Sequence, residues 1–120
     1  MSLIARYLEE NGIPTVIIGS AQDIVEQCSV PRYLHVDFPL GNPCGKPYDR
    51  AMQNRIVKHG LTLLANAKGA NAYEVSDEVW GSDGWRDNYM RVDDDNRALL
   101  AQMGDELRSR RKTRVPRDFS

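Results

Sequence analysis

Residues 12–38 read GIPTVIIGSAQDIVEQCSVPRYLHVDF, and the fold turns on how this stretch is parsed. Gly12 can take the left-handed backbone that ends a helix, and Pro14 stops a helix from continuing. Thr15-Val16-Ile17-Ile18 is then a β-branched run of the kind buried on both faces of a parallel sheet. Ser20 with Asp23 reads as a helix N-cap with an acid near the positive end of the dipole. The short helix, about 21–27, presents Ile24, Val25 and Cys28 and must stop before Pro31. Residues 33–38 alternate Leu34, Val36 and Phe38 with Tyr33, His35 and Asp37, the period of a strand. Strand, helix and strand in this order predict a parallel β-α-β unit.

Working outward, residues 2–11 form a helix whose pairs Leu3/Tyr7 and Ile4/Leu8 make one apolar stripe. Residues 39–47, Pro-Leu-Gly-Asn-Pro-Cys-Gly-Lys-Pro, contain three prolines and two glycines and can only be a loop. Asp49 opens a long helix to about residue 66, with Met52, Ile56, Gly60, Leu63 and Leu64 on one face. Residues 72–75 are a candidate third strand. Trp80 and Trp85 stand among glycines and acids in a stretch, 67–92, that reads mostly as ordered loop. Asp93–Asp95 cap a last helix, about 95–111, whose stripe is Leu99, Leu100, Met103 and Leu107.

The expected fold class is therefore α/β. It is a small parallel sheet flanked by helices, three-layered in the Rossmann or flavodoxin manner, with a helical C-terminal extension. The expected domains are an α/β core over 1–70, an extension over 71–112 that packs on it or forms an oligomer interface, and a loose tail over 113–120. Two strands alone are marginal. Either 72–75 supplies a third or a second chain completes the sheet, which favours a homodimer.

Bulk properties narrow the function. A length of 120 residues suits one core, and 41% hydrophobic with 28% charged residues is ordinary for a globular domain. A net charge of −1 gives no general attraction to nucleic acid or to an anionic membrane. No apolar run reaches the roughly 20 residues that span a bilayer. The first ten residues lack the apolar core of a secretory signal and end in Glu9-Glu10. Two cysteines, Cys28 and Cys44, are too few for a disulfide scaffold. A cytoplasmic protein is expected.

Residues 12–66 also carry a family resemblance. Gly12-Ile13-Pro14-Thr15-Val16, Val30-Pro31-Arg32 and Phe38-Pro39-Leu40-Gly41-Asn42-Pro43, followed by a long helix from near Asp49, are in order and register. They look like the C-terminal region of the glycine/sarcosine/betaine and D-proline reductase B-component family. The resemblance implies an oxidoreductase domain related to selenocysteine- or cysteine-dependent cleavage of a carbon–nitrogen bond. It also implies a pyruvoyl group on a partner subunit, and no cofactor in this chain. In that family the reactive cysteine or selenocysteine lies just upstream of the helix before G-I-P-x-V. That helix here is residues 1–11, so the position falls before Met1 and this chain alone is not expected to be active. Residues 67–120 do not share the resemblance.

Within the resemblance, the expected ligand is small and amino-acid-like and the expected site is the 39–47 loop, where open α/β sheets bind ligands. Gly41, Asn42 and Gly45 can expose backbone N–H groups to an anion, Lys46 adds charge, and Asp49 begins the next helix. Pro43 and Pro47 subtract donors, and a rigid connector is the plainer account. Cys44 beside Lys46 is the candidate catalytic thiol, because a nearby ammonium raises the thiolate fraction. The plainer account is a small loop side chain. Cys28 reads as core.

Two other functions stay open. One is a non-catalytic interaction module using Trp80, Trp85 and the basic terminal helix. The other is a thiol-dependent enzyme of another class, using Cys44. His35 and Asp37 share a strand face and are expected to pair. The acids Asp77, Glu78, Asp83 and Asp87 lack calcium-loop spacing, and capping or solvation explains them. Arg108, Arg110, Arg111, Lys112, Arg114 and Arg117 suit a helix C-terminus and solvent. Neither zinc spacing, a Walker loop nor G-x-G-x-x-G is present.

Overall fold

The computed structural model of the chain describes residues 1–89 and 91–112. Its elements are α1 (Ser2–Glu10), β1 (Ile17–Gly19), α2 (Gln22–Gln27), β2 (Arg32–His35), α3 (Arg50–Asn66), β3 (Ala72–Val75), α4 (Gly84–Asn88) and α5 (Arg97–Lys112). Two compact units divide between Arg86 and Asp87. The loose tail expected over 113–120 lies outside the described residues.

The first unit is built on a three-stranded sheet in the order β1-β2-β3, with both pairs parallel. Gly19, His35 and Val75 stand level with one another at its carboxyl edge. The expected α/β class, with helices on a small parallel sheet, is what the chain adopts. Residues 72–75 are the third strand, so the sheet needs no second chain to complete it.

Strand alternation sorts the core into two faces. Leu34, Val36 and Phe38 bury against Met52, Ile56 and Leu63 of α3. Tyr33 points the other way and packs with Val25 of α2 and Val30. Full burial of a Leu, Ile or Phe side chain is worth about 1.5–3 kcal/mol, so α3 is the main clamp on the sheet. Gly60 lets it approach closely: a Cβ there would meet Ile18 Cδ1 at 2.9 Å. At the far end of α1, Gly12 has φ of +78°, the backbone that ends a helix before Pro14.

Other expectations change. Most of the α1 stripe faces outward: Leu3 is 73% exposed, Ile4 and Tyr7 are also exposed, Leu8 is half-buried, and Ala5 is the residue that enters the core. What fixes α1 is polar. Oε1 of Glu9 accepts from the Thr15 amide (2.5 Å), the Thr15 hydroxyl (3.0 Å) and Arg32 (2.5 Å). On α2, Val25 is buried while Ile24 stays exposed, because one turn offers only one residue to the Tyr33 face. Cys28 is half-buried against that same cluster. Residues 84–88, expected as loop, form the short helix α4.

In the second unit, Asp93 and Asn96 exchange hydrogen bonds, each side chain accepting from the other's amide (2.9 and 3.0 Å). This reciprocal cap starts α5. The stripe Leu99, Leu100, Met103 and Leu107 is exposed. Among the described residues, no helix is long and apolar enough to cross a membrane.

Candidate functional site

Parallel strands send the segments that follow β2 and β3 to the same edge of the sheet, the carboxyl edge. The loop 39–47 follows β2, and the segment 76–83 follows β3. They meet through Lys46 and Trp80. The Trp80 ring packs on Phe38 at 5.4 Å between centroids, and Lys46 Nζ lies 6.0 Å from the Trp80 ring centre. Gly81 leaves room for this lysine, since a Cβ there would stand 3.1 Å from Nζ.

Beside this contact is a cavity of about 230 Å³, lined by Asp37, Val75, the 76–83 segment and Trp85. Its walls are tied down by ion pairs from outside. Arg86 donates to both Asp37 and Asp83, and its guanidinium lies 4.7 Å from the Trp85 ring centre. Arg55, on α3, reaches Glu78 with two hydrogen bonds of 2.5 and 2.9 Å. That hydrogen bond, opposed by partial burial and aided by the arginine's charge, holds the Glu78 carboxyl below its ordinary value. Asp77 is exposed. The lining thus combines two indole rings with carboxylates, and cations stand at its border.

The expected site residues occupy a tightly bonded loop. The Asn42 amide donates to Pro39 O (3.1 Å) and the Gly45 amide to Asn42 O (3.2 Å). The Lys46 amide lies 3.4 Å from Met52 Sδ, and the Gln53 side chain donates to Lys46 O. Asp49 caps α3, its Oδ1 accepting from the Met52 amide at 3.0 Å. These backbone donors are spent inside the loop, and the Asp49 carboxylate stands where an anion would meet the helix end. Gly41 is exposed with φ of +96°. Gly45 is buried with φ of +104°, and a Cβ there would stand 2.9 Å from Met52 Sδ. Lys46 is the member whose side chain reaches Trp80 and Gly81, two residues of the cavity lining.

Cys44 is exposed, and among the described residues no hydrogen bond joins it to either histidine. The expected His35–Asp37 pair does not form. His35 Nδ1 lies 3.2 Å from the Tyr33 hydroxyl, while Asp37, beyond the end of β2, turns to Arg86. Trp80 and Trp85, expected at an interaction surface, line the cavity. The acids Asp77, Glu78 and Asp83, expected to cap or to face solvent, line it too. Arg55 and Arg86 carried no signal in the sequence. The legible clue was two tryptophans among small and acidic residues immediately after a third parallel strand. No group of three or more His, Cys, Asp or Glu among the described residues is arranged to hold a metal ion.

Comparison with known proteins gives a partial match. Over 68 residues the chain is 34% identical to the D-proline reductase subunit gamma of Acetoanaerobium sticklandii, which covers 57% of this chain and 28% of that protein. The chain thus matches little more than a quarter of the relative's length. This supports a distant relationship to the D-proline reductase family. No protein-family model and no solved structure matches the chain.

Proposed function

We propose that this chain is a reductase-related domain that binds a small amino-acid-like ligand at the carboxyl edge of its sheet. The observation that carries the reading is the meeting of Lys46 with Trp80 at the border of the cavity. A ligand with an ammonium and a carboxylate finds both complements there. Asp77 offers negative charge beside Asp37 and Asp83, whose charge is already met by Arg86, and Lys46 offers a donor to the carboxylate. A volume of about 230 Å³ suits a molecule of few heavy atoms rather than a dinucleotide.

The likeness to a D-proline reductase subunit supports the same reading. In the reductase family that residues 12–66 resemble, a cysteine or selenocysteine, with a pyruvoyl-bearing partner subunit, supplies the electrons and the electrophile. The residues described here would then bind and orient the ligand rather than cleave its bond. The test is an NMR titration of the chain with D-proline, glycine and sarcosine, following the two indole N–H signals. Saturable movement of either indole, lost in Lys46→Ala, is expected. Unmoved indoles at millimolar concentrations of all three would remove the proposal.

A second reading is favoured by the outward stripe of α1. Leu3, Ile4 and Tyr7 stand exposed side by side, as expected of a subunit that docks to others. In this reading the chain is a non-catalytic interaction module. Co-purification of partner subunits, lost in a Leu3→Glu/Tyr7→Glu variant that still folds, would support it over ligand binding.

A further inference from the structure

The face of the sheet away from α3 holds a second polar arrangement. The Tyr33 side chain is buried, its ring packed edge-on against Tyr73 with centroids 6.0 Å apart. Its hydroxyl oxygen lies 2.8 Å from the carbonyl oxygen of Gly19 and 3.2 Å from Nδ1 of His35. Proton counting determines how these bonds run. A phenol has one proton, and a carbonyl oxygen can only accept. Tyr33 therefore donates to Gly19, and the contact with His35 is made by an N–H on Nδ1 donating to the phenol oxygen. Burial, with added repulsion from Glu26 and Asp23, pushes the Tyr33 hydroxyl up to about 12, so the phenol keeps its proton throughout the physiological range.

A neutral imidazole has one proton. If it is on Nδ1, then Nε2 is left as a lone-pair acceptor. We propose that Tyr33 locks His35 in the Nδ1–H tautomer and thereby presents His35 Nε2 as a dedicated acceptor for an N–H or O–H donor of a ligand at the carboxyl edge. Three observations locate this acceptor. His35 is the last residue of β2, level with Gly19 and Val75. Val75 lines the cavity described above, and His35 stands beside it in register without itself forming the lining. His35 is partly exposed, and among the described residues Nε2 has no hydrogen-bond partner.

His59 supplies an internal contrast. Its Nε2 lies 2.8 Å from a Glu74 carboxylate oxygen, which can only accept, so His59 carries its proton on Nε2. The chain's two histidines are thus assigned opposite tautomers. Tyr33 is a positioning residue in this scheme. Removal of its hydroxyl is structurally tolerable because Gly19 O also accepts from the Val36 amide at 2.9 Å.

The tautomers are read directly by long-range proton–nitrogen NMR on nitrogen-15-labelled chain, at a pH of about 8.5, where an ordinary imidazole is neutral. His35 is expected to show a protonated Nδ1 and an unprotonated Nε2, with His59 reversed. In Tyr33→Phe, His35 should shift toward the Nε2–H form that free imidazole side chains prefer, with His59 unchanged. A wild-type His35 in the Nε2–H form, or a Tyr33→Phe spectrum identical to wild type, overturns the tautomer lock. The acceptor role rests on the ligand reading above and has its own arm. Glycine, which has ammonium protons, should move the His35 Nε2 signal, and glycine betaine, which has none, should not. Equal movement with both, or none with glycine, overturns the acceptor role while leaving the tautomer result standing.

Discussion

The Arg86 guanidinium donates to the Asp37 carboxylate across 49 residues of sequence, joining the end of β2 to α4 and closing one wall of the cavity. The same guanidinium holds Asp83 and lies over the Trp85 ring. One side chain therefore positions two acids and an indole.

Because these groups are substantially exposed, Arg86→Ala should leave global stability nearly unchanged. It should nevertheless alter the environment of Trp85. The expected result is an unchanged thermal midpoint together with a shifted indole N–H signal and a changed tryptophan emission. An emission spectrum and indole signals identical to wild type would show that Arg86 does not organise the wall.

The Glu9 carboxylate joins α1 to β2 through Arg32. Burial raises this carboxyl's pKa, but the hydrogen bonds from Thr15 and the charge and hydrogen bond of Arg32 outweigh burial and hold it below 4.5. A folded-state value below the unfolded one means stabilisation that is complete above the ordinary value and fades as pH falls through it. Glu9→Gln should therefore cost roughly 1–2 kcal/mol at pH 7, with the difference from wild type shrinking below about pH 4.5. Urea unfolding of both chains at several pH values measures this. A penalty that stays constant on acidification contradicts the linkage.

The α3 clamp gives a core prediction. Ile56 is fully buried against Leu34 and Val36, and Ile56→Ala should cost about 2–5 kcal/mol. Val57, one residue further on, is substantially exposed, and Val57→Ala should stay within about 0.5 kcal/mol. Equal losses at the two positions would mean that α3 docks through another face.

Gly45 tests the loop. Its φ of +104° is unfavourable for any residue with a side chain, and an added Cβ would crowd Met52 Sδ and Ile56 Cδ1. Gly45→Ala should cost about 1–3 kcal/mol and shift the amides of residues 44–49. Gly41 also has positive φ, but a Cβ there meets nothing within 4 Å. Gly41→Ala should accordingly cost less, by the packing share of the loss. Denaturant midpoints of the two variants make the comparison.

Much of the framework was legible in residues 12–66. The β-branched run, the period-two alternation of 33–38 and the Met52-Ile56-Gly60-Leu63 spacing each contain their own partner information. Each side chain's face follows from its neighbours along the same element. The α1 stripe reads equally well, yet most of it faces solvent. Periodicity identifies which side of a helix is apolar, but it does not say whether anything covers that side.

The candidate site was legible only in part, through the carboxyl-edge loop and Lys46. Its acids read as capping or solvated groups and its tryptophans as an interaction surface, not as the lining of one cavity. Local order along the chain determined the parallel β-α-β core, because strand period, helix period and the Gly and Pro stops are short-range properties. Tertiary structure decided the pairing of Arg86 with Asp37, of Lys46 with Trp80 and of Tyr33 with His35 and Gly19. The parallel crossovers bring segments from distant parts of the chain to one edge, and which charges and rings meet there depends on distances in space that no local pattern encodes.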